Sequence, residues 1–154
     1  MTELCLRINR RLIDVCCGVH SCPAFIACYH EQFGTLCYTN AGHTPGLLHD
    51  ATGIAELGPT SLPLGLFSHA TCEAPTVGMA KQASLLLVSR GVVDCEGQGH
   101  SEGFGLERVK DVFLCAPANA ARPLCDSVLE AVAEFSGKGP VCDDRTALAL
   151  VHTA

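Results

Sequence analysis

Residues 3–15 space Leu4, Ile8, Leu12 and Val15 at intervals of four, four and three, with Arg7, Arg10 and Arg11 between them; this predicts an amphipathic helix. After Pro23, Ala24-Phe25-Ile26-Ala27-Cys28-Tyr29 is a short apolar run suited to a buried strand, and Gly34 marks a turn. Leu36-Cys37-Tyr38-Thr39 then reads as the returning strand of an antiparallel hairpin. A second hairpin is predicted directly after it: Leu47-Leu48-His49 and Ile54-Ala55-Glu56-Leu57 flank Asp50-Ala51-Thr52-Gly53, with Asp opening the turn and Gly closing it. Residues 58–74 carry Pro59, Pro63 and Gly65 without periodicity and read as an ordered loop. Thr76 to Met79 is a strand candidate, and Leu85-Leu86-Leu87-Val88, apolar on both faces, predicts a central strand of a covered sheet that ends at Ser89-Arg90-Gly91. Leu106, Val109 and Phe113 share one helical face; Leu124, Val128, Val132 and Phe135 share another, closed by Gly137. Thr146 to Val151 supplies a last strand. Hairpins and helices without βαβ alternation, internal repeat or linker predict one α+β domain over residues 1–154 with antiparallel sheet.

Composition narrows the function classes. A chain of 154 residues with 48% hydrophobic and 17% charged residues can bury a core and does not read as disordered. Ten Lys and Arg against sixteen Asp and Glu give a formal charge of −6, which offers no basic field for a phosphate backbone, and the absence of Trp leaves few stacking platforms for bases. Nucleic acid is therefore not an expected partner. No apolar run approaches the roughly 20 residues that span a bilayer, so no membrane segment is expected. Charge scattered through the first eleven residues does not suit a signal peptide, and the expected location is cytoplasmic. Eleven cysteines, odd in number and spread along the chain, read as free thiols. Cys17, His20 and Cys22 form the tightest Cys/His cluster, but no second half-site completes four zinc ligands.

Three segments hold the unusual residues: Asn40-Ala41-Gly42-His43-Thr44-Pro45-Gly46 at the end of a strand, Ser89-Arg90-Gly91-Val92-Val93-Asp94 after the central strand, and Pro140-Val141-Cys142-Asp143-Asp144-Arg145-Thr146 before the last one. Taken locally, His43 could orient a loop, Arg90 could sit on the surface and Asp143-Asp144 could be a solvated turn.

Taken together with Thr60-Ser61-Leu62-Pro63-Leu64-Gly65-Leu66 and Phe104-Gly105-Leu106-Glu107-Arg108, the order Asn40-Ala41-Gly42-His43 to Asp143-Asp144-Arg145-Thr146 resembles the SpoIIE/RsbU-type bacterial branch of the metal-dependent PPM protein phosphatases, over nearly the whole chain. The resemblance implies the type 2C fold, an antiparallel β-sandwich flanked by helices. It also implies two Mn²⁺ or Mg²⁺ ions held mainly by Asp carboxylates, with a bridging water attacking a phosphoserine or phosphothreonine. Hard divalent cations suit oxygen ligands, and two of them acidify the water and neutralise charge building on the phosphoryl group. Asn40, Gly42, His43, Gly91 and Asp144 match the family's motifs, and Asp143 matches a metal ligand.

Two departures bear on activity. The family usually carries a Gly-Asp pair in the N-terminal portion of the domain; none of the fifteen glycines here is followed by Asp, and the expectation is that the N-terminal part of the fold is missing. Where the family has Thr-Asp-Gly after the central strand, this chain has Ser89-Arg90-Gly91, so Arg90 stands at a degenerate metal position. A dication about 4 Å from a guanidinium is repelled by roughly 8 kcal/mol at an effective dielectric of about 20. The leading expectation is a phosphatase-like domain that is catalytically impaired and binds a protein in partner-switching signalling, such as a phosphoprotein, an anti-sigma-factor antagonist or its kinase. The alternative is an active Mn²⁺- or Mg²⁺-dependent phosphatase, with ligands from a second chain or from Asp94 or Asp144; a non-functional gene fragment or a structural module is a third. Unpaired strand edges add the expectation of a homo-oligomer. Arg90 and Asp143 would face one former metal site, where the guanidinium either pairs with Asp143 in place of the metal or points to solvent.

Overall fold

The computed structural model describes residues 1–16, 19–97, 102–117, 120–137 and 143–153. Cys17 of the Cys17/His20/Cys22 cluster and Pro140, Val141 and Cys142 lie outside these. The chain forms two compact units, one comprising Met1–Pro45 and Leu57–Ala80, the other Gly46–Glu56 and Lys81–Ala154.

The first unit contains helix α1 (Thr2–Cys16) and a three-stranded antiparallel sheet of β1 (Ala24–His30), β2 (Thr35–Ala41) and β5 (Thr76–Gly78), in the order β1-β2-β5. The expected α1 is present, but its buried face is not the Leu4/Ile8/Leu12/Val15 stripe. Leu4 and Val15 are 50% and 79% exposed, whereas Cys5 and Asn9 are buried. Asn9 takes a core position because both ends of its amide are satisfied: Nδ2 donates to Phe67 O at 2.9 Å and Oδ1 accepts from Gly65 N at 2.7 Å. The β1–β2 hairpin pairs Ala24 with Ala41 through to His30 with Thr35, and turns through a short 3₁₀ segment, Glu31–Phe33, closed by Gly34 at φ +56°. The apolar run in β1 is half-buried rather than buried, with Ala27 and Cys28 exposed, because β1 is an edge strand; β2, the central strand, is buried from Tyr38 to Ala41.

The second unit holds a four-stranded sheet in the order β4-β3-β6-β7, built from β3 (Gly46–Asp50), β4 (Gly53–Leu57, whose last residue falls in the first unit), β6 (Ser84–Val88) and β7 (Ala147–Val151). Both expected hairpins are present. The β3–β4 turn is fixed by Asp50, whose Oδ1 accepts from Thr52 N at 2.7 Å and Thr52 Oγ1 at 2.6 Å, and by Gly53 at φ +122°. β6 is the central strand its composition predicts, pairing with β3 (Leu48 with Leu85) and with β7 (Leu86 with Ala149). It ends at Val88, as the Ser89-Arg90-Gly91 stop predicts, and runs into a one-turn helix, α2 (Arg90–Val93). Helices α3 (Gly105–Cys115) and α4 (Ala121–Ser136) bury Val109 and Phe113, and Leu124, Val128 and Val132, the stripes read from the sequence. With Leu47, Leu86, Val88, Val92 and Phe104 they make one apolar core. Each such side chain contributes roughly 1.5–3 kcal/mol by leaving water. All nine described cysteines are free thiols. No described helix is long and apolar enough to cross a membrane.

Candidate functional site

The motif residues fall into two groups. In the first unit, β2 delivers Asn40 fully buried at its end, where the side chain organises the turn that follows. Asn40 Oδ1 accepts from His43 N at 2.9 Å, and Nδ2 donates to Leu57 O at 3.2 Å and Thr44 O at 3.3 Å. The Asn40 backbone is held as well: its N–H donates to Thr60 Oγ1 at 3.0 Å, and its carbonyl accepts from Thr60 N at 2.8 Å and Ser61 N at 3.1 Å. Gly42 is required twice over. It sits at φ +75°, and a Cβ there would meet the Pro63 ring at 2.5 Å. His43 Nδ1 lies 3.0 Å from both Thr44 O and Thr44 Oγ1, and its ring meets Phe25 edge-on, with centroids 6.4 Å apart. These contacts fix the shape of the loop.

The second group surrounds the end of β6. Ser89 Oγ donates to Asp144 O at 2.8 Å and accepts from Thr146 N at 2.9 Å, tying the entrance of α2 to the segment before β7. Gly91 is buried against that segment, and any Cβ would collide with the Asp144 carbonyl. Arg90 does not pair with Asp143. Its guanidinium Nε donates to Asp94 Oδ2 at 2.5 Å, one helical turn on, with side-chain exposures of 82% and 55%. That hydrogen bond, then the Asp94 charge, raise the Arg90 pKa, and the Asp143 charge adds to this from farther away. Asp143 is exposed and its Oδ1 accepts from the N–H of the next residue, Asp144, at 2.8 Å. The local partner wins because Asp94 lies one helical turn along from Arg90, at i, i+4, whereas Asp143 is carried by a separate segment.

Arg90, Gly91, Asp94, Cys95, Glu96, Asp143 and Arg145 nonetheless line one cleft of about 250 Å³. Glu96 is not singled out by the sequence, and Arg145 appears there only as part of the Asp143-Asp144-Arg145-Thr146 motif, with no role of its own. Glu96 follows Asp94 by two positions in an acidic stretch that local pattern assigns to solvent, and Arg145 reveals its place only through its Nη1 bond to Ser136 Oγ at 3.0 Å. Three carboxylates and two guanidiniums share this cleft, with Asp94 already engaged by Arg90. Among the described residues, no group of three His, Cys, Asp or Glu side chains is placed to hold a metal ion. Among the described residues, the three carboxylates of this cleft, one of them taken by Arg90, do not fit a two-metal centre.

The family model for stage II sporulation protein E, SpoIIE, matches residues 1–153. No curated protein matches the chain. Among solved structures, it is similar to the RsbU and RsbW domains of Rv1364c from Mycobacterium tuberculosis at 23% identity and TM-score 0.80, covering 100% of this chain and 42% of that one. It is similar to the Mn-presoaked phosphatase domain of the cell fate determinant SpoIIE from Bacillus subtilis at 14% identity and TM-score 0.70, covering 98% and 72%. It is also similar to RsbX in complex with magnesium at 13% identity and TM-score 0.63, covering 94% and 60%. The fold is that of these type 2C phosphatase domains, and the chain spans only part of each.

Proposed function

This chain belongs to the SpoIIE family, and on that premise we propose that it is a SpoIIE/RsbU-type phosphatase-like domain whose catalysis is impaired and whose role is to bind a regulatory protein in partner-switching signalling. The partner would be a phosphoprotein such as an anti-sigma-factor antagonist, or its kinase. The observation that supports this reading is the Arg90–Asp94 pair. A cation stands where the family resemblance puts a metal-binding carboxylate, and it occupies the nearest carboxylate. Asp143 is the one matched ligand, and a single carboxylate does not hold two hard cations. Mn²⁺ or Mg²⁺ would at most bind weakly here.

The test is p-nitrophenyl phosphate hydrolysis run beside isothermal titration with Mn²⁺. The expected result is no metal-stimulated turnover, and none restored by Arg90→Asp alone. Robust Mn²⁺-dependent turnover that is lost in Asp143→Asn would overturn the proposal in favour of an active phosphatase using Asp94, Glu96 and Asp143 around the cleft. The binding role predicts saturable association with an anti-sigma-factor antagonist in the same buffer without metal. Light scattering of the isolated chain reports whether it self-associates.

A further inference from the structure

We infer that Cys28 and Cys37 form a dithiol site that closes to an intramolecular disulfide by exchange with a small-molecule disulfide of the glutathione class. The two residues are direct partners in the β1–β2 ladder, Cys28 opposite Cys37. Both are free, Cys28 exposed and Cys37 half-buried. Opposed residues of an antiparallel pair project their side chains to the same face of the sheet.

The kind of pair follows from the other edge of β2. Tyr38 N donates to Pro75 O at 3.0 Å and Met79 N to Gly34 O at 2.7 Å, so the even-numbered peptide groups of β2 face β5. The odd-numbered ones, Cys37 among them, face β1, which makes Cys28–Cys37 a hydrogen-bonded pair. Such pairs hold their Cα atoms about 5.5 Å apart, inside the roughly 4.4–6.8 Å that a disulfide spans. Their Cβ atoms stand somewhat wider than the ~3.8 Å mean of a relaxed disulfide, so closure requires a small inward rotation and gives a readily reduced bond. In the reduced chain the Cys37 thiol donates to Ala74 O at 3.5 Å, on the β5 side of β2, and closure exchanges this weak contact for the bond to Cys28.

The chemistry balances within the dithiol and its co-reactant. The exposed Cys28 thiolate attacks one sulfur of glutathione disulfide, forming a mixed disulfide and expelling one glutathione thiolate. Cys37, deprotonated, then attacks the Cys28 sulfur, forming the protein disulfide and expelling the second glutathione. Two protein thiols are oxidised, and one glutathione disulfide is reduced to two glutathiones.

The test uses the full chain equilibrated in graded glutathione redox buffers, quenched by alkylation and cut after glutamate. Glu31 lies between the two cysteines, and Cys37 is the sole cysteine of the fragment 32–56. Mass spectrometry should find fragment 32–56 joined to fragment 4–31, released by reduction, with the link lost in Cys28→Ser and kept in Cys22→Ser. Oxidising the chain in strong denaturant should abolish the preference for this pair. Fragment 32–56 recovered as a free, alkylated thiol across the buffer series overturns the inference. A link that persists in Cys28→Ser, or a preference unchanged by denaturant, also overturns it, since the strand ladder would then not select the pair.

Discussion

Replacing Asn40 by alanine removes three side-chain hydrogen bonds at once, to His43 N, Thr44 O and Leu57 O. The residue is fully buried, so its abandoned partners have little access to water. Each hydrogen bond contributes a net 0.5–1.5 kcal/mol or so, and a buried group left unpaired costs about 1–3 kcal/mol. The backbone bonds of Asn40 to Thr60 and Ser61 survive the change and bound the loss. The expected cost of Asn40→Ala is therefore about 3 kcal/mol. Asn40→Asp should cost more at neutral pH, because it sets a carboxylate oxygen against the Thr44 and Leu57 carbonyls where the amide donated, and buries a charge. Burial raises the folded pKa of that carboxyl above its unfolded value, so the Asp penalty should ease as pH falls through the raised value and the protonated group can donate to one carbonyl. Urea unfolding followed by circular dichroism measures both. With a slope near 2 kcal/mol per molar, the Ala midpoint should fall by about 1.5 M. A fall below about 0.5 M, or an Asp variant as stable as the Ala variant at pH 7, would refute the account of this buried amide.

Gly91→Ala should cost at least about 2 kcal/mol, since a Cβ at this buried position meets the Asp144 carbonyl and must push the segment before β7 away from Ser89; thermal unfolding reads it. Hydrogen bonds from Thr52 hold the Asp50 carboxyl below its ordinary 3.8. A depressed folded pKa contributes stability that is present above the unfolded value and lost as pH falls through the folded one, so wild type should lose stability relative to Asp50→Asn on acidification below about pH 4. A constant difference between the two from pH 6 to pH 2 would contradict this. Burial raises the Cys125 thiol, so at pH 8 it should alkylate more slowly than the exposed Cys115, as counted by mass spectrometry of the digested chain.

The parts of the fold legible in the sequence are those written in local period and turn chemistry. Leu124, Val128 and Val132 on α4, and Asp50 with Gly53 in the β3–β4 turn, occupy the places their spacing predicts. What resisted prediction depends on partners far along the chain. Asn9 is a core residue because Gly65 and Phe67 satisfy its amide, a fact no helical period contains, and Leu4 and Val15 are exposed. The exposure of Ala27 and Cys28 follows from β1 being at a sheet edge, which the run of apolar residues cannot encode. At the candidate site, the unusual residues were visible as residues. The choice of Asp94 over Asp143 by Arg90 was not, because it turns on the single turn of helix formed after β6.

The Asn40 amide has a consequence for the order in which the chain can assemble. Its Nδ2 bonds the carbonyls of Thr44, two residues before β3, and Leu57, the last residue of β4, and so ties the base of that hairpin. On a ribosome, β3 and β4 emerge well before β6, with which β3 must pair, and β6 in turn emerges long before β7. A two-stranded hairpin alone is marginal in water. Tying its base through the Asn40 amide shortens the stretch that must be ordered for β3 to meet β4 while β6 and β7 are still being synthesised.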